Sequence, residues 1–295
     1  MRPAALAAMT TSLLFALLLW ALPPPTEQTI GAATLVDGSF ALTRGTTVYR
    51  GGEGVRLKYG DIIETPDGAF TQLEFTNGAV LALGPGTRAY ILPAGASAAG
   101  HALSLDVVIL AGWLKAETPP SKGTFRIRTP RLAVISAGGT FVVRSTPGEC
   151  NVFVERATSV SLAEVKAGGD TGALTQAKAD QFFLRQKTAP VSTAPRASPA
   201  FLEAMPRQFR DTLPSRLGRV SKPVEPKSER PVNYEDIDSW LKAPSAWRRG
   251  LAQRFAPRLG DANFRKRIEA HAKELPDWAP ILHPDTTSES PPARN

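Results

Sequence analysis

Three carboxylates stand close together in this chain, Asp61, Glu64 and Asp67, and paired carboxylates perform acid–base work on glycosidic bonds. Asp61 and Glu64 therefore raise one candidate chemistry, the cleavage of a polysaccharide. The competing reading is structural, because Asp61 follows Gly60 and Asp67 precedes Gly68, turn positions where a short acidic side chain bonds the backbone. A second candidate is the basic strip Arg126 and Arg128 with Arg131 nearby. The first two share one strand face about 6.8 Å apart, and guanidinium forks suit carboxylates and phosphates. The alternative is a solvated face that discourages edge pairing. Trp113, after Gly112, is either a sugar-stacking platform or a packing residue. Cys150 shares strand parity with Val152 and Val154, which reads as a buried apolar position. His101, His271 and His283 are scattered, and His271 lies on an apolar helical stripe, so neither a metal site nor a cofactor is expected. Gly51-Gly52-Glu53-Gly54 lacks the strand and helix that frame a phosphate loop.

The elements that must position these residues change character along the chain. Asp67-Gly68 and Asn77-Gly78, then Gly84-Pro85-Gly86, are turn signals separated by apolar runs such as AFTQLEF and AVLAL. Their spacing predicts strands of about 5–7 residues. In Phe125-Arg126-Ile127-Arg128 the apolar and basic residues alternate, and Thr140–Val143 and Asn151–Val154 continue the β-branched bias. Past Pro190 the segment VSTAPRASPA has the composition of an extended connector. Helical period follows. Trp247, Leu251, Phe255 and Leu259 form one stripe, and Phe264, Ile268, His271 and Leu275 another. Asn233 with Asp236, Pro244 and Asp261 supply helix starts. An earlier helix is expected over Phe201 to Leu213, stopped by Pro214.

Composition agrees with this division. Of 24 glycines, 21 fall in residues 31–190, whereas 14 of the 26 prolines fall beyond 190. The 295 residues carry a net +8, distributed as +3 over residues 31–190 and +5 over 191–295. From Ala4 to Leu22 the chain is almost wholly apolar behind Arg2 and ahead of Pro23-Pro24-Pro25, which reads as an export signal, cleaved or retained as an anchor. Export puts the remainder in an oxidising space where Cys150 has no second cysteine in the chain to pair with. It also removes nucleic acid as the partner of a basic chain and leaves anionic glycans, lipid head groups or acidic proteins.

The run Gly60-Asp61-Ile62-Ile63-Glu64-Thr65, then Leu73-Glu74-Phe75-Thr76-Asn77-Gly78 and Leu81-Ala82-Leu83-Gly84-Pro85, resembles the start of a FecR domain. The segment from Leu105 to Leu114, then Ile127-Arg128-Thr129-Pro130 and Gly139-Thr140-Phe141-Val142-Val143, resembles its second half. The resemblance spans roughly residues 34–165. It implies an all-β, solenoid-like or rolled periplasmic module without catalytic residues, whose best-known members hear from an outer-membrane receptor and control a sigma factor. Glu155-Arg156 stands where the family often has Glu-Gly, and only Met1 to Pro3 precede the apolar stretch where those regulators carry a cytoplasmic segment. The sequence is therefore read as a partner-binding module rather than a direct sigma-factor contact.

The expected protein is mainly β. A signal or anchor (1–22) leads to a FecR-like all-β domain (34–187), a linker (188–199), a small α-helical C-terminal domain (200–284) and a disordered tail (285–295). It is read as a non-enzymatic periplasmic protein that binds an envelope protein or anionic glycan, with a role in envelope signalling. The alternative is the polysaccharide enzyme using Asp61 and Glu64. Trp113, Arg126, Arg128 and Arg131 are the binding candidates on the β module. Trp247, Arg248, Arg249, Arg265, Lys266 and Arg267 are the candidates for a partner or membrane surface, since a basic amphipathic helix suits either.

Overall fold

The computed structural model describes residues 28–93, 103–120, 122–220 and 222–284. The expected leader, His101 and the tail lie outside them. Among the described residues no helix is long and apolar enough to cross a membrane. The protein is mainly β, with 42% of the described residues in strands and 22% in helices.

The strands form a curled, mostly antiparallel sheet in two layers. The first layer runs in space through Arg56–Lys58, Thr29–Asp37, Phe70–Phe75, Val80–Leu83, the C-terminal half of Leu103–Thr118, Gly139–Ser145, Glu149–Ala157, Phe182–Gln186 and Ser192–Ala194. The second runs through Lys227–Pro231, Thr47–Gly51, Phe40–Arg44, Ile62–Glu64, Arg88–Ile91, the N-terminal half of Leu103–Thr118, Thr124–Arg128, Leu132–Ser136, Val160–Glu164 and Thr175–Gln176. Thr124–Arg128 lies parallel to Leu103–Thr118, and the other pairings are antiparallel.

Leu103–Thr118 belongs to both layers, and its bend falls at Gly112. That residue has φ +96°, and a Cβ there would stand 2.3 Å from Thr87 Cα. Only glycine tolerates both the left-handed backbone and the close approach. The turn at Gly84-Pro85-Gly86 carries the neighbouring chain across the same corner, from Val80–Leu83 to Arg88–Ile91. Buried threonines stitch it together. Thr65 Oγ1 donates to Gly84 O at 2.5 Å and accepts from Thr87 N at 3.0 Å, while Trp113 N donates to Thr87 Oγ1 at 3.0 Å.

Strand alternation decides what fills the space between the layers. Leu73, Leu81, Leu114, Phe141, Val143 and Val152 from the first layer meet Leu42, Ile63, Ile91, Val107, Ile127 and Val134 from the second. The outer faces are covered as well, so all six residues of Phe70–Phe75 and all four of Val80–Leu83 are buried. Val80–Leu83 accordingly reads as an unbroken apolar run, whereas Phe70–Phe75 buries Thr71, Gln72 and Glu74 as well.

Covers on the two sides come from beyond residue 190. Over the first layer lies a strap, beginning with the helix Pro199–Ala204, whose Phe201, Met205, Phe209 and Leu213 cluster with Phe70, Val80, Ala82 and Val142. The continuous helix expected over 201–213 ends at Ala204, because Pro206 cannot donate a backbone hydrogen bond; Arg207–Phe209 is a separate 3₁₀ turn. Over the second layer pack the helices Tyr234–Leu241, Ser245–Arg248, Leu251–Phe255 and Ala262–Ala270, whose buried residues share one cluster with Val48, Ile62, Tyr90 and Val108 of the sheet. Trp247, Leu251, Phe255 and Leu259 are all buried, although Gly250 at φ +81° breaks the helix between the first two. Asp261 caps its helix, its Oδ1 accepting from Phe264 N at 3.0 Å. The β layers begin at Thr29, ahead of residue 34, and the expected linker 188–199 holds the strand Ser192–Ala194, paired with Phe182–Gln186.

Candidate functional site

The acidic candidates separate in the fold. Asp61 is 1% exposed, with Arg44 Nε 2.9 Å from Oδ1, Arg44 Nη2 2.8 Å from Oδ2, and Lys58 N donating to Oδ2 at 2.8 Å. Both oxygens are committed to a buried bidentate pair, and a substrate cannot reach them. Glu64 faces the helical cover instead. Arg88 Nε lies 3.6 Å from its Oε1, and the Trp240 indole sits beside it. Burial raises the Glu64 pKa and the nearby Asp236 adds to that; Arg88 and the Trp240 N–H oppose it without cancelling it. The acid–base pair expected of a glycosidase is therefore not assembled from these two residues: one is a locked ion pair and the other a lining group of an interlayer contact.

The basic strip keeps its alternation but loses its solvent. Phe125 and Ile127 enter the core, and Arg126 and Arg128 turn to the opposite face. There both guanidiniums converge on Asp106, Arg126 Nε at 3.1 Å from Oδ2 and Arg128 Nε at 3.0 Å from Oδ1. Arg128 is 6% exposed, and burial lowers its pKa against the pull of Asp106. Arg131 stands apart, donating to Thr146 O and Pro147 O to hold the turn before Glu149. Trp113 is half-buried under the strap, its ring centroid 5.3 Å from that of Phe201, with the Arg144 guanidinium 5.2 Å above it. Cys150 is fully buried, takes a hydrogen bond from Thr129 Oγ1 at 3.2 Å, and burial pushes its thiol up to about 12.

Of the residues assigned to a partner or membrane surface, Trp247 is 1% exposed and donates from Nε1 to Gly169 O at 3.3 Å. It packs inward because its stripe faces the sheet, which corrects the surface assignment. Arg248 is paired with Asp277 at 2.6 Å. Arg265 lies 3.8 Å from Glu269, and Arg267 lies 3.2 Å from Glu235 and over the Tyr234 ring. Arg249 and Lys266 are exposed and make no ion pair among the described residues.

Sequence reasoning missed the strongest polar cluster, on the outer face of the first layer. Glu74, 2% exposed, accepts from Thr34 Oγ1 at 2.7 Å, Gln72 Nε2 at 2.9 Å, Ser215 Oγ at 2.8 Å, Arg216 N at 2.6 Å and Leu217 N at 3.0 Å. Burial alone would raise its pKa, but these donors outweigh burial and hold the carboxyl below its ordinary value. Lys115, 1% exposed, donates to Phe209 O at 2.7 Å and Asp211 O at 2.9 Å and pairs with Glu155 at 2.9 Å. Glu117 Oε1 accepts from Leu213 N at 2.8 Å. These groups latch the strap by its main chain. On the other side Arg254 donates to Gly45 O, Gly60 O and Thr43 O at 2.9, 2.6 and 2.9 Å, tying a helix to the sheet. No local signal marked them: Glu74 and Lys115 have the parity opposite to the core residues Leu73, Phe75, Leu114 and Ala116, where a charged side chain is expected to meet solvent.

The motif residues that carried the family resemblance thus have structural duties: Asp61 closes a turn, Thr65 stitches the corner, and Thr129 ties two strands. Residues 61–158 match the family described as FecR protein, and this segment is a FecR-family domain. No curated relative matches the sequence. Two crystal structures of a candidate anti-sigma factor from Parabacteroides distasonis are similar at 15% identity, with TM-scores of 0.37 and 0.38. The matches cover 46% and 48% of this chain and 59% and 64% of those chains.

Proposed function

We propose that this chain is a non-enzymatic FecR-domain protein of the periplasm that binds an envelope partner, a protein or an anionic glycan, and acts in envelope signalling. The observation that carries the proposal is the FecR-family match over residues 61–158. Geometry supports it: three of the groups that first suggested chemistry are paired inside the fold, Asp61 with Arg44, and Arg126 and Arg128 with Asp106. The apolar stripes that would face lipid are turned into the sheet, so contact with a partner or an anionic surface falls to exposed cations such as Arg249 and Lys266.

A photo-crosslinking residue at position 266 in intact cells tests this. The expected result is capture of an envelope signalling component, lost when the crosslinker is moved to the exposed position 263 and Arg249→Glu and Lys266→Glu are introduced together. Cleavage of envelope glycan by the purified chain, abolished by Glu64→Gln, would overturn the reading.

A further inference from the structure

The two layers part at the end of the roll remote from Gly112. Between the last strands of the first layer, Phe182–Gln186 and Ser192–Ala194, and those of the second, Val160–Glu164 and Thr175–Gln176, lies a cleft of about 380 Å³. That size falls within the range of about 300–1,000 Å³ usual for small-molecule sites. Its floor is Leu132, Leu162, Val165, Phe183 and Val191. Leu132, Leu162 and Phe183 belong to the core between the layers and are at most 3% exposed, so the cleft is closed at its base by that core. Beside its rim Leu174 is 57% exposed.

Hydrogen bonding around the rim argues against an added peptide strand. The Arg185 guanidinium occupies Arg131 O at 2.6 Å, Val165 O at 3.0 Å and Ala189 O at 3.2 Å. Val191 N donates to Glu164 Oε1 at 2.8 Å, and Gly172 N to Glu164 O at 2.7 Å. An apolar chain needs none of these groups. Charge then selects the head group. Glu164 is neutralised by Arg185 at 3.1 Å, whereas Lys166, also lining the cleft, is exposed and makes no ion pair among the described residues.

We propose that this cleft binds an anionic amphiphile, its unbranched apolar chain on the floor and its single negative head group at Lys166. The chemistry is shared by a free long-chain carboxylate and by the acyl chain of an anionic lipid.

Titration calorimetry of the full chain with decanoate and with decylammonium, both below micelle formation, tests the proposal. One decanoate should bind per chain, and decylammonium about tenfold more weakly or not at all, since opposite charges attract at the rim and like charges repel. Lys166→Glu should reverse that order. Thr193→Trp, a change at an exposed lining residue, should block binding while leaving the circular dichroism spectrum unaltered. Flotation with phosphatidylglycerol vesicles separates the sources: co-flotation competed by decanoate and lost in Thr193→Trp assigns the lipid chain, and its absence assigns the free carboxylate. Equal affinity for the two head groups, or decanoate binding undiminished in folded Thr193→Trp, overturns the proposal.

Discussion

Glu64 and Glu74 are carboxylates of one domain whose environments push them in opposite directions, and each makes a prediction with its own sign. The Glu64 pKa is raised, so its favourable contribution is complete below the ordinary glutamate value of about 4.3 and is lost as pH rises through the folded value. Glu64→Gln should therefore raise the melting temperature at pH 7 and flatten the stability profile just above pH 4.3. Glu74 is lowered, so its contribution is present above that value and is lost as pH falls through the folded one. Glu74→Ala should cost about 3 kcal/mol, because it leaves Arg216 N and Leu217 N without their acceptor. Acid should loosen the strap in the wild type, read as faster proteolysis near residues 214–217. Cys150, with its thiol at about 12 and no exposure, should resist alkylation at pH 8 in the folded protein and react on unfolding. Its burial was legible from parity with Val152 and Val154. The roles of Glu74 and Lys115 were not, since the groups that satisfy them lie in the strap, far along the chain.

Strands and turns were readable because each is encoded locally: Gly68 at φ +79° and Gly78 at φ +86° sit in the turns their dipeptides announce. What a strand faces is not encoded locally. The alternation around Arg126 and Arg128 fixes which side is apolar, but Asp106 on a neighbouring strand and the helices beyond convert the other side from solvent to interior. Helix lengths failed for a related reason. Stripes at a spacing of four residues are kept by packing even where Pro206 and Gly250 break the backbone, so period outlasts hydrogen bonding. The shared strand gives the sharpest test at this scale. Gly112→Ala adds a Cβ 2.3 Å from Thr87 Cα at φ +96° and should destabilise by about 4 kcal/mol by chemical denaturation, combining backbone strain with overpacking.

At the level of the molecule, the segments beyond residue 190 are covers for the two faces of the β layers, which the compositional break does not reveal. Removing residues 227–284 should expose Val48, Ile62, Tyr90 and Val108 together and yield an aggregating chain rather than a stable β domain, as measured by size-exclusion chromatography. The edge strand Lys227–Pro231 is fully exposed and carries Lys, Glu, Arg and Pro, residues that discourage pairing with another chain. Its partner is Thr47–Gly51, near the other end of the sequence. A chain delivered from its N-terminus, by a ribosome or a translocation channel, presents Thr47–Gly51 long before Lys227–Pro231 arrives. Throughout that interval an uncapped, β-branched edge is on offer to whatever is near. The last quarter of the sequence therefore sets the moment at which the first fifth becomes safe, and vectorial delivery imposes a waiting period that a refolding experiment on the whole chain would not show.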